Sequence, residues 1–159
     1  MAYDPVFIND AAPTLLNSFC GVGNPFSLGE IDPGNNVLDI GSGAGFDLYV
    51  AKRLAGESGK VCGIDLTQEM VDKARKNLRD SDMGDIEVIH VSSEDIPFPD
   101  NTFDVVISNG VINLSPFKQE LFLEIFRVLR NGGSLQFADV VLEKELPGAL
   151  AGSLEAWSQ

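Results

Sequence analysis

The amino-acid sequence reads as an α/β protein, a parallel sheet of five strands covered by helices on both faces. Three observations carry that reading. Short apolar runs rich in β-branched residues alternate with segments of helical periodicity from Val37 to Val141. The first run, Val37-Leu-Asp-Ile40, passes directly into a glycine-rich turn, Gly41-Ser-Gly-Ala-Gly45, that opens a helix whose first amides point at whatever sits in the turn. The second run, Val61-Cys-Gly-Ile-Asp65, ends on a carboxylate twenty residues after Gly45. Nucleotide-binding sheets place there the acidic residue that accepts hydrogen bonds from the ribose hydroxyls.

The elements follow in order. Residues 1–36, rich in Pro, Gly and Asn, form an irregular or partly helical lead-in to the first strand. Leu48, Ala51, Leu54 and Ala55 give the next helix its apolar spacing, and Gly56 and Gly59 end it. After the second strand, Thr67 stands as N-cap to a helix with Met70, Val71, Ala74 and Leu78 on its apolar face. Residues 86–91 form the third strand, and the turn-rich stretch 92–101 leads to the fourth at 103–108. Ser115 followed by Pro116 has the form of an N-cap and first helical residue. Leu121, Phe122, Ile125, Val128 and Leu129 make that helix's buried face, Asn131-Gly-Gly133 stops it, and residues 135–141 are the fifth strand. One domain then spans 1–159, with its core at 37–142, a tail at 143–159, and a further helix expected over 146–159.

Composition agrees with one core. A length of 159 residues and 44% apolar content describe a single globular domain. No window approaches the run of about 20 apolar residues that crosses a bilayer. With no basic residue before Lys52 and with Asp4 and Asp10 early, the start has no presequence character, and a cytoplasmic location is expected. The net charge of −13 repels phosphate backbones and anionic headgroups, which argues against nucleic acid and membrane partners. Two cysteines make no disulfide framework, and Cys62, inside a strand, reads as a small buried apolar side chain.

Spacing decides between ligands. A dinucleotide fingerprint carries a third glycine where this chain has Phe46. No Gly-Lys-Ser/Thr follows the glycines, which excludes a phosphate loop. The pattern is instead Asp39-x-Gly41-x-Gly43-x-Gly45, with an acidic residue suited to a ligand bearing an ammonium or a sulfonium. An adenosine-type ligand with a positive end is therefore expected at the carboxyl ends of the first two strands.

This pattern resembles motif I of the class I S-adenosylmethionine-dependent methyltransferases. Asn24-Pro25, Gly63-Ile-Asp-Leu-Thr-Gln-Glu-Met70, Ile96-Pro-Phe-Pro-Asp-Asn-Thr-Phe-Asp104, Ile107-Ser-Asn-Gly-Val-Ile-Asn-Leu-Ser115 and Phe126-Arg-Val-Leu-Arg-Asn-Gly-Gly133 also stand in family order. Within the class the chain is similar to the group holding the ubiquinone/menaquinone-biosynthesis enzymes and, closer still, the arsenite methyltransferases. The resemblance implies a Rossmann-like fold with strand order 3-2-1-4-5 and S-adenosyl-L-methionine as cofactor. It implies that Asp39, Gly41 and Gly43 line the methionine part, that Asp65 holds the ribose hydroxyls, and that Leu66 and Met70 flank the adenine. Ser93 and Glu94 fall where the family contacts the adenine edge. Asn109 and Val111 fall where the family's backbone meets the cofactor's amino end. Ser92 departs from the acidic residue common in that family's loop.

Two further departures bear on chemistry. Arsenite methyltransferases hold arsenic through cysteine thiolates, a soft metalloid requiring soft ligands. Aligned with the family, those cysteines fall at Val22, Gly110 and Ser153, and Cys20 lies two residues from the first. The resemblance thus carries the cofactor site across and not the arsenic site, and no metal site is expected. The family sheet has seven strands closed by a C-terminal hairpin, for which this sequence has no counterpart after its fifth strand. That strand is then an open edge. A homodimer, a second chain completing the fold, or a shortened protein would each account for it.

The expected activity is transfer of a methyl group from S-adenosylmethionine to a small-molecule acceptor. Such a transfer needs alignment more than a base. Asp47, Asn109, Asn113 and Asp139 are candidates to face the acceptor without one being selected, and no catalytic residue is assigned. His90 reads as a strand-end residue rather than a base. The alternative is a cofactor-binding module without catalysis of its own, acting within a dimer or larger assembly. A nicotinamide oxidoreductase is disfavoured by Phe46 and Asp39.

Overall fold

The computed structural model describes residues 3–141. The lead-in folds into two short helices, α1 (Pro5–Asp10) and α2 (Pro13–Leu16), and a 3-10 turn at Pro25–Ser27. Each begins on a proline, whose missing N–H costs nothing in a first turn. Then come β1 (Val37–Ile40), α3 (Phe46–Ala55), β2 (Val61–Asp65), α4 (Gln68–Arg79) and β3 (Glu87–His90). After β4 (Phe103–Asn109), a 3-10 turn at Ile112–Leu114 leads into α5 (Lys118–Val128) and β5 (Leu129–Ala138). The five strands form one sheet in the order β3-β2-β1-β4-β5, with every pairing parallel. This is the Rossmann-like arrangement expected from the alternation of strands and helices. The register brings Ile40, Ile64 and Ser108 level at the carboxyl edge of the central strands, with Asp65 and Asn109 next along their chains. The order reverses at β1, so the crevice where such sheets bind ligands opens above β1 and its neighbours.

Alternation along the strands builds two cores. Val37, Val61, Val88, Val105 and Ile107 face α3 and α4, and Leu15 of the lead-in packs on the same side. Leu38, Ile40, Cys62, Ile64, Phe103 and Val106 face the other way, against Leu121, Ile125 and Val128 of α5. Both faces of the central strands are buried, hence the near-continuous apolar runs. Burial pushes the Cys62 thiol up to about 11, in keeping with its role as a small core side chain. No helix among the described residues is long and apolar enough to cross a membrane.

Several boundaries differ from the sequence expectation, each for a local reason. Pro116 does not start a helix: Ser115 is extended (φ −65°, ψ 128°) and α5 begins at Lys118. The Ser115 hydroxyl accepts from the Phe117 amide and donates to Glu94 instead. Asn131-Gly-Gly133 does not end α5 either, because β5 starts at Leu129 and those residues lie within it, beside a shift in its register with β4 between Phe103 and Val105. Gly133 permits this passage, since a Cβ there would lie 2.9 Å from the Asp104 carbonyl. Phe122 and Met70 turn outward from their helices rather than into the core, and the Phe122 ring meets Phe137 of β5 edge-on. β5 pairs only with β4 among the described residues. The helix expected over 146–159 lies outside the described residues.

Candidate functional site

The glycine turn is fastened to β2 from both sides. The amides of Gly41 and Ser42 both donate to the Ile64 carbonyl, at 2.9 and 3.0 Å. Gly43 donates its amide to Asp65 Oδ2 at 2.8 Å, and Thr67 donates to Asp65 Oδ1 at the same distance. Asp65 is thus locked in one orientation, yet each carboxylate oxygen keeps a lone pair for a further donor. Gly41 takes φ +71°, and a Cβ there would fall 2.3 Å from Val111 Cγ2, so Val111 lies flat on the turn. A Cβ at Gly43 would meet nothing within 4 Å, which leaves its backbone open to a ligand.

A cleft of ≈ 230 Å³ opens beside the turn. Of the residues singled out from the sequence, Gly41, Asp65, Leu66, Ser93, Glu94 and Val111 line it together. Glu94 Oε1 accepts from the Ser115 hydroxyl at 2.8 Å, and Ser93 Oγ bonds Asp95 Oδ2 at 3.1 Å. The loop carrying them is held by α5: Ile96 donates its amide to Glu124, and Arg127 reaches the carbonyls of Ile96 and Phe98. Met70 stays outside the lining. Leu114 and Ser115 line the cleft and were missed, because Ser-Pro signals a helix start and gives no hint that the serine turns toward Glu94. His90 is exposed, its Nε2 lying 3.1 Å from the Leu66 carbonyl.

Asp39 and Asn109 occupy a second polar cluster, deeper and outside the cleft lining. Asn109 Nδ2 donates to the Tyr3 hydroxyl, to Asp47 Oδ2 and to the Gly23 carbonyl, each at 3.0 Å. Its Oδ1 accepts from the amides of Val22 and Gly23. The Tyr3 hydroxyl donates to Asp47 Oδ1 at 2.6 Å, while its ring packs among Phe19, Phe26 and Phe46. The Asn109 side chain therefore pins the lead-in to the end of β4 and the start of α3. Asp39 is 2% exposed, and its Oδ2 has no hydrogen-bond partner. Burial, then the charges of Asp47 and Asp65, hold the Asp39 carboxyl well above the usual carboxylate range. Burial also raises Asp47, against the hydrogen bonds from Tyr3 and Asn109.

Of the remaining polar candidates, Asp139 accepts from the amides of Asn113 and Val140. Val22 and Gly110 are neighbours: a Cβ on Gly110 would lie 3.1 Å from Val22 Cγ1. Cys20 is free and exposed, and Ser153 lies outside the described residues.

The cleft offers a pair of acceptors for vicinal hydroxyls, apolar walls for a flat ring and an open glycine backbone, and outside its lining one oxygen of the buried Asp39 lacks a partner. These features fit an adenosine-type ligand with a positive end. Comparison with known proteins gives the same reading. Residues 31–159 match the family described as "Methyltransferase domain". The arsenite methyltransferase of Halobacterium salinarum is 43% identical over 127 residues, 80% of this chain and 32% of that protein. The demethylmenaquinone methyltransferase of Listeria welshimeri is 35% identical over 121 residues, 75% of this chain and 50% of that protein. Among solved structures, an arsenic (III) S-adenosylmethionine methyltransferase from Chlamydomonas reinhardtii superposes with a TM-score of 0.81 at 36% identity, covering 92% of this chain and 51% of that one. A SAM-dependent methyltransferase from Aquifex aeolicus gives 0.69 at 28% identity, covering 93% and 80%. The chain spans about a third to a half of the length of these two curated relatives.

Proposed function

The chain belongs to the methyltransferase-domain family, and on that premise we propose that it binds S-adenosylmethionine and transfers its methyl group to a small-molecule acceptor. The observation that carries this reading is Asp65, locked by Gly43 and Thr67 at the mouth of the cleft with lone pairs free for two hydroxyls. When bound, S-adenosylmethionine supplies a methyl group already activated on a sulfonium, so the transfer requires no general base. Asp65 holds the ribose, and Leu66 and Val111 give the apolar walls between which the cofactor is oriented. Ser93 and Glu94 present polar atoms at the far side of the cleft, where the adenine edge is read. Gly43 lets the cofactor approach the backbone, Gly41 lets Val111 lie against the turn, and Asp39 answers the positive end. The lead-in is pinned by Asn109 and Asp47 at the end of β4 and the start of α3.

The acceptor is a small molecule other than arsenite. At two of the three positions aligned with family cysteines, a valine methyl faces a glycine, and neither offers a thiolate. Coverage of only a third to a half of those relatives favours a second reading, in which the chain binds the cofactor and transfer needs further protein. Calorimetric titration with S-adenosylmethionine and S-adenosylhomocysteine tests the binding, and transfer from methyl-labelled cofactor to an acceptor panel that includes arsenite tests the rest. Binding with label transfer to an acceptor other than arsenite is the expected result. Binding without any transfer selects the second reading, and a folded chain that binds neither compound refutes both.

A further inference from the structure

Asp39 and Asp47 are the only buried carboxylates among the described residues. Asp39 lies in β1, two residues before the glycine turn, and Asp47 lies in the first turn of α3. Alternation along β1 directs Asp39 to the side on which α3 packs, and the two act on each other electrostatically. Among the described residues, no cation faces them from the elements around them. β2 contributes Asp65, the lead-in Tyr3, and β4 the neutral Asn109. The basic residues of α3 are committed elsewhere, Lys52 to Asp85 and the Gly59 carbonyl, Arg53 to Asp10 and Tyr49. Asp47 has its oxygens satisfied by Tyr3 and Asn109, whereas Asp39 Oδ2 has no partner and neither does the buried Ser42 hydroxyl in the turn.

Two carboxylates buried together without a counter-ion cannot both stay ionised at low cost. One answer is to keep a proton, and the other is to admit a positive charge from outside. We propose that Asp39, buried with an unpartnered oxygen near the charge of Asp47, keeps a proton in the free protein and surrenders it when the positively charged methionine end of the cofactor enters beside it, so that cofactor binding is coupled to proton release. A carboxyl O–H bond breaks, its proton passes to the solvent buffer, and the carboxylate left behind faces the ligand's charge. The inference rests on S-adenosylmethionine being the ligand. It makes Asp39 a determinant of specificity for a charged ligand, separate from recognition of the ribose by Asp65. The affinity for S-adenosylmethionine then rises with pH, by up to about tenfold per unit while Asp39 is still protonated. Adenosine, which lacks the positive end, shows no such dependence.

Calorimetric titration of the full chain at one pH in two buffers with different ionisation heats, phosphate and Tris, counts the protons released. S-adenosylmethionine is expected to release about one proton, seen as a buffer-dependent enthalpy, and adenosine none. Asp39→Asn is expected to lose the release while still binding adenosine, and Asp47→Asn to reduce it. Binding of S-adenosylmethionine with the same enthalpy in both buffers overturns the coupling and leaves the proposed function standing. Undiminished release from Asp39→Asn also overturns it. Failure of the wild-type chain to bind either compound overturns the proposed function, and the coupling with it. The wild-type comparison decides the matter even where a variant does not fold.

Discussion

Replacing Asp65 with alanine removes both acceptors that the cleft offers to a ribose. The carboxylate sits 2.8 Å from the amides of Gly43 and Thr67, held ready before any ligand arrives. The two bonds it is proposed to accept from ribose hydroxyls would be charge-assisted, each contributing about 1.5–3 kcal/mol. The pair contributes about 3–6 kcal/mol, so Asp65→Ala should weaken binding of S-adenosylhomocysteine roughly 10²- to 10⁴-fold. Asp65→Asn keeps one acceptor and should fall between the two. The fold should survive both changes, because Asp65 is only partly buried and water can reach the two amides it leaves. Isothermal calorimetry gives the affinities, and circular dichroism confirms that the variants are folded. A folded Asp65→Ala chain whose Kd stays within about threefold of wild type would refute the assignment of this carboxylate to the ribose.

Other consequences follow from the deeper cluster and the turn. The Asp39 carboxyl is raised in the folded chain, so the folded state binds a proton that the unfolded chain gives up. Its contribution to stability is complete below the unfolded carboxylate range and is lost as pH rises through the folded value. In scanning calorimetry, the melting temperature of Asp39→Asn should therefore gain on that of wild type as pH rises from about 4 toward neutrality. Tyr3→Phe leaves Asp47 Oδ1 buried without its donor and should cost about 1–3 kcal/mol in urea denaturation; an unchanged midpoint would contradict the network. Gly41→Ala places a methyl 2.3 Å from Val111 Cγ2 at a φ of +71°. It should lower the melting temperature and abolish cofactor binding, both measurable by scanning fluorimetry with and without S-adenosylhomocysteine.

The elements that were legible in the sequence are those governed by short-range patterning. Short β-branched apolar runs such as Val105-Val-Ile107, alternating with helical segments, read as strands of a covered parallel sheet, and the spacing of Gly41, Gly43 and Asp65 points to a ligand. The strand order came from resemblance, since crossover direction leaves no mark on local periodicity. What stayed hidden depends on partners far away along the chain. Asn109 reads from the sequence as a residue near the cofactor's amino end or the acceptor; its side chain ties Tyr3, 106 residues earlier, to Asp47. Ser115 illustrates the opposite failure. Its Ser-Pro signal is sound, but a 3-10 turn places it against Glu94, and α5 starts three residues later at Lys118. Gly132 and Gly133 mislead similarly, because glycines that end a helix and glycines that let a strand bend are the same residues read in different surroundings.

The central claim is that this cleft holds the cofactor through Asp65, and a crystal structure of the chain with S-adenosylhomocysteine tests it most directly. Both ribose hydroxyls are expected within hydrogen-bond distance of the Asp65 carboxylate, with the adenine against Leu66 and the methionine end toward Asp39. A ligand bound with its ribose away from Asp65, or its methionine end away from the Asp39 carboxylate, would contradict it.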